Sequence, residues 1–151
     1  MVIIVSVAFT GFSQTKNSDI NAAFENYTKN FQEVVHVHLN KSSFVVGEDI
    51  GFTAYVFNKN DKSLSKETEN LYCVITDEND KIIKSQLLKV TNGIASGTFK
   101  LDDDLASSNY TFKAYTNWMR NFKHNNTFVE NFKIINPKKP KKYQRFLEVI
   151  L

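Results

Sequence analysis

His36 and His38 stand two residues apart in an alternating run, so both project from one face of a strand, and an i, i+2 imidazole pair can grip a metal ion. A zinc site needs three or four ligands in fixed geometry. His124 is far along the chain and Cys73 sits in the apolar run 71–75, so spacing supplies no third ligand and no metal site is assigned. Asp102-Asp103-Asp104 and the acidic 77–80 turn offer carboxylates, but they lack the alternating oxygens and placed glycine of a calcium loop. Solvated loops account for both.

Cys73 is the single cysteine, so no intramolecular disulfide can form and the fold must stand on its core alone. No His or Lys lies nearby to lower its pKa, and a small buried thiol is the reading. No nucleophile elbow, phosphate-cradling loop or metal-binding helix is present, so no catalytic residue and no cofactor is expected. The residues that stand out are Tyr115, Trp118, Met119, Arg120 and Phe122, which close a strand pattern and enter a loop. They form a candidate contact patch for a partner protein. Trp118, Tyr115 and Phe122 could alternatively make a stacking platform for a glycan. A third reading tucks Trp118 back against the end of the sandwich or a neighbouring domain.

The elements that must hold these residues follow from periodicity. Residues 2–10 are an uncharged apolar run followed by Gly11-Phe12-Ser13, a small-x-small pattern that marks 1–13 as a signal peptide, although basic residues before the run are missing. A buried first strand is the alternative for that run. In 14–32, Ser18 suits a helix N-cap, and Ile20, Phe24, Tyr27 and Phe31 fall at helical spacing. At Glu33 the period switches to two. Val35, Val37 and Leu39 alternate with the two histidines, and Ile50, Phe52, Ala54 and Val56 alternate with Gly51, Thr53 and Tyr55. Further strands are expected over 71–76, 81–90, 94–101, 110–116 and 128–134. Asn92-Gly93 marks a tight hairpin, Gly97 a possible bulge, and 40–47 a plain connection.

Seven short strands with regular turn signals predict an all-β, antiparallel, immunoglobulin/fibronectin-like β-sandwich over 33–136 with a short N-terminal helix. Its core draws on 13 Phe and 6 Tyr against one Trp. From Lys133 onward six basic residues face Glu148 alone, so the rest of the chain is acidic although the whole carries +3. Positive charge on a tail rather than on the folded body argues against nucleic acid as a partner. Residues 137–151 read as a basic linker and the start of a truncated apolar segment. No stretch is long enough to span a membrane as a helix.

Three segments in order carry a family resemblance. Val37-His38-Leu39-Asn40-Lys41, Phe44, Gly47-Glu48-Asp49-Ile50 and Phe52-Thr53-Ala54-Tyr55 form the first. The second is Lys89-Val90-Thr91-Asn92-Gly93-Ile94-Ala95-Ser96-Gly97-Thr98-Phe99 with Leu101, and the third runs from Tyr110 to Arg120. Together they resemble the second macroglobulin domain of the alpha-2-macroglobulin superfamily, as found in large exported Bacteroidetes proteins, some of them TonB-receptor-associated. Asn40 and Phe44 stand where that pattern has Asp and Tyr. The resemblance implies a non-catalytic module in the periplasm, at the outer membrane or on the cell surface. Its partners would be other domains of a parent protein or outer-membrane and periplasmic proteins. The superfamily's protease trap uses a Cys-Gly-Glu-Gln thioester; Cys73 is followed by Val74, Ile75 and Thr76, so that chemistry is not implied.

Overall fold

The structure, a computed structural model, describes residues 31–122 and 126–139. The expected signal peptide, most of the expected N-terminal helix, His124 and the tail beyond Lys139 lie outside these residues. Among the described residues no helix is long and apolar enough to cross a membrane.

Among the described residues eight strands build the fold: β1 Glu33–Leu39, β2 Ser43–Val45, β3 Asp49–Asn58, β4 Asn70–Thr76, β5 Ile82–Lys89, β6 Ile94–Lys100, β7 Ser108–Thr116 and β8 Phe128–Ile135, with one 3-10 turn, η1, at Trp118–Asn121. They form a three-stranded sheet, β1-β3-β6, and a five-stranded sheet, β2-β8-β7-β4-β5. All seven expected strands are present. The eighth, β2, falls in what the sequence marks as a connection, and it pairs parallel to β8 (Ser43 with Lys133, Val45 with Ile135) in an otherwise antiparallel fold. Three residues are too few to show a period; β2 exists because β8 is there to pair with it.

Alternation decides what is buried. Val35, Val37 and Leu39 point inward from β1, and Ile50, Phe52, Ala54 and Val56 from β3, while His36 and His38 are exposed. Phe52 and Phe99 of the three-stranded sheet meet Phe112 of the other, with ring centroids 4.9 and 6.1 Å away and tilted toward edge-on. Each such side chain removed from water stabilises the fold by about 1.5–3 kcal/mol. Gly97 is no bulge: β3 and β6 stay in register through Phe52 and Gly97. The position is glycine because a Cβ there would come within 2.7 Å of Phe52 Cζ and 2.9 Å of Leu88 Cδ1, so its absence lets two side chains from facing sheets close over β6. The register shift lies instead between β4 and β5, at Ile75/Thr76.

The turns follow their residues. Asn92 and Gly93 both take positive φ (51° and 76°), and Thr91 and Ile94 exchange backbone hydrogen bonds across them. Asp77 Oδ1 accepts the N–H groups of Asn79 and Lys81, and Asp80 takes φ 60°. Tyr110, near the start of β7, donates its hydroxyl to the Ala106 carbonyl (3.1 Å), a tyrosine-corner arrangement. At the same pole buried Asn136 donates to the Asp103 and Leu105 carbonyls and accepts from Lys138 N–H. Lys139 Nζ reaches the Asp104 carbonyl, so the chain stays attached past Pro137.

Candidate functional site

The opposite pole is built around a carboxylate. Glu33, at the first position of β1, is wholly buried. Ser65 donates to its Oε1 at 2.6 Å, and Thr68 and Thr116 donate to its Oε2 at 2.6 and 2.7 Å. No cation pairs with it among the described residues; the hydroxyls take that place, and short O–H···O⁻ bonds are among the stronger kinds. Thr116 extends the network. Its hydroxyl accepts the Met119 N–H and its own N–H reaches Met119 Sδ, both at 3.3 Å. The β7 end is thereby fixed to η1, and η1 carries the next three candidate residues.

These residues do different jobs. Met119 is 2% exposed and belongs to the core, so it floors the site and is not a surface contact as its sequence position suggests. Trp118 is 45% exposed, its ring 6.5 Å from that of Phe122. Tyr115, Met119, Arg120 and Phe122 line an open cleft of about 360 Å³. On the outer face of the five-stranded sheet Tyr115 stacks on Tyr72 (5.4 Å, 8° between planes), and the Arg120 guanidinium lies over the Tyr115 ring at 5.4 Å. Tyr115 is thus half-buried between its neighbours, in contact with both a ring and a guanidinium.

Sequence reasoning missed Glu33, Tyr72 and Leu87. Tyr72 pairs with Tyr115 on one side and with Leu87 on the other, extending the aromatic row to the outer strand. Alternation alone puts Tyr72 on the face opposite Leu71 and Cys73, but its neighbours needed the sheet order. Glu33 gives no local signal, since its partners lie 32, 35 and 83 residues away.

The other candidates stay apart. His36 and His38 face outward beside Tyr55 and Thr53, and the His36 ring meets Phe128 edge-on. Among the described residues no three His, Cys, Asp or Glu side chains are grouped to hold a metal. Asp102 pairs with Lys84 at 2.7 Å, and Asp80 with Lys113 at 2.8 Å. Cys73 is buried on the inner face of β4, and burial pushes its thiol pKa up to about 12.

No protein-family model and no curated protein sequence matches this chain. Solved structures do. The native form of the Escherichia coli alpha-2-macroglobulin aligns with 70% of the chain at TM-score 0.56 and 12% identity. Salmonella alpha-2-macroglobulin reacted with methylamine aligns with 70% at TM-score 0.55 and 10% identity. Trypsin-activated Escherichia coli alpha-2-macroglobulin aligns with 68% at TM-score 0.55 and 14% identity. The chain spans only 6–7% of the length of these proteins. What is shared is the fold, a macroglobulin-like β-sandwich of the kind these bacterial proteins contain.

Proposed function

We propose that the chain is a non-catalytic macroglobulin-like module, of second-domain type, in an exported bacterial protein, where it positions neighbouring domains and contacts a protein partner through its η1 pole. The observation that carries this reading is Trp118, a large ring 45% exposed on a short turn whose next residue, Met119, is tied through the Thr116 hydroxyl to a buried carboxylate. Rigid, exposed aromatic side chains next to an arginine are the usual anchors of protein interfaces. The family resemblance and the small-x-small pattern before Gln14 support export.

Two measurements test it. Expressed in a Gram-negative host, the chain is expected in the envelope or periplasmic fraction with Gln14 as its mass-spectrometric N-terminus; an intact N-terminus in the cytosol sinks export. A photo-crosslinking amino acid at Trp118 is expected to trap one defined protein or neighbouring domain, while the same group at Ser96 on the other sheet does not. Equal trapping at both positions refutes the interface. The glycan-platform reading predicts instead binding on a glycan array that disappears in Trp118→Ala with the fold intact.

A further inference from the structure

A cation and an apolar ledge share the outer face of the five-stranded sheet. Cross-strand pairing sets Leu87, Tyr72 and Tyr115 side by side across β5, β4 and β7, and Arg120 completes the row from η1. Leu87 is 55% exposed, and β5 is the outermost strand, so the row runs to an open edge. In the next row toward η1, Lys89 pairs with Asn70. Among the described residues neither Arg120 nor Lys89 is paired with a carboxylate, whereas Lys113 on the same face is neutralised by Asp80. The sheet positions around this row (Ser85, Val74, Lys113, Thr76, Thr111) include no acid.

The chemistry of the row selects a ligand. A guanidinium held over the Tyr115 ring still has N–H donors to offer a ligand, and its contact with the ring restrains it before anything binds. Tyr72 Oη accepts the Asn117 side-chain N–H at 3.2 Å, so its own hydrogen remains to be donated. Donors and positive charge therefore flank exposed apolar carbon. We infer that this face binds an extended segment of a partner protein in which an acidic side chain sits between aliphatic ones, the carboxylate on Arg120 and the aliphatic groups along Tyr115, Tyr72 and Leu87. The inference deepens the protein-contact reading above and rests on it.

The test uses the full chain labelled with nitrogen-15 and two capped peptides, acetyl-Val-Glu-Leu-Glu-Val-amide and its counterpart with Gln for both Glu. The acidic peptide is expected to shift the Arg120 side-chain N–H and the Tyr72, Tyr115 and Leu87 amides, with affinity falling as salt rises. The Gln peptide should bind about tenfold more weakly, and Arg120→Gln should weaken the acidic peptide by about the same factor, the scale of one charged hydrogen bond. Arg120→Lys, which keeps the charge and loses the planar fork, should fall between. Because Arg120 is exposed, an unchanged melting temperature in each variant shows that the fold is intact. Equal binding of the two peptides, full binding by Arg120→Gln, the same shifts with inorganic phosphate alone, or no shift at these residues each overturns the inference. Trapping at Trp118 that persists in Arg120→Gln leaves the protein-contact reading standing when this one fails; absence of specific trapping at Trp118 in the wild-type chain removes both.

Discussion

Replacing Glu33 tests whether the buried carboxylate holds the η1 pole together. In Glu33→Ala three hydroxyls lose their acceptor inside the fold, and each orphaned polar group costs about 1–3 kcal/mol where it cannot turn to another partner. With three orphaned hydroxyls and the cavity added, a total of at least about 3 kcal/mol is expected. Glu33→Gln has nearly the same shape. Its amide oxygen can take the Oε2 place and keep Thr68 and Thr116, while its NH₂ faces Ser65, whose hydroxyl can reverse from donor to acceptor. The loss there is about 1 kcal/mol. For a domain of this size 1 kcal/mol corresponds to roughly 4 °C in melting temperature, so the alanine variant should melt at least about 12 °C lower and the glutamine variant within about 5 °C of wild type. Urea unfolding followed by the fluorescence of Trp118, the one tryptophan, measures both, with an unchanged m value as the check that only stability has moved. Equal losses for Ala and Gln would show that charge and not hydrogen-bond count dominates. An alanine variant within about 0.5 kcal/mol of wild type would refute the anchoring role outright.

Three further outcomes follow from the packing. Cys73, with its thiol pKa raised to about 12 by burial, should resist thiol reagents at pH 8 until the fold opens. Because the unfolded thiol ionises near 9 and the folded one does not, its contribution to stability is complete below pH 9 and declines from there toward 12. Alkaline melting of wild type against Cys73→Ala reads this slope, and parallel curves would discount it. Gly97→Ala should cost about 1–3 kcal/mol, since the new methyl meets Phe52 and Leu88; a companion Leu88→Ala should recover part of the clash, and full additivity would refute the shared contact. Tyr110→Phe should lose about 0.5–1.5 kcal/mol with the hydroxyl bond to Ala106, and an unchanged urea midpoint would show the corner to be dispensable.

Much of the sandwich is legible in the chain because burial on one face of a strand writes itself as alternation. The 50–56 run and the Asn92-Gly93 turn each carry their whole explanation within a few residues. The site is less legible for the same reason. Trp118 and Arg120 stand out by type, but Met119 next to them is core, and only the turn of η1 separates the two roles. Tyr72 becomes part of the row only when β4 lies between β5 and β7. Glu33, an acid at the head of an apolar strand, reads as a solvated end until three hydroxyls from two distant segments arrive around it. β2 is invisible because it has no pattern of its own.

That short strand also determines how the fold meets a load along its chain. β2 and β8 run parallel, so tension entering before β1 and leaving after β8 draws them in opposite directions along their common axis. The rows joining Ser43–Val45 to Lys133–Ile135 then bear the force side by side and must fail together, whereas a hairpin pulled at its open end unzips one row at a time. Under such a load a pairing of only three residues resists by shear, which is more than its length alone would give.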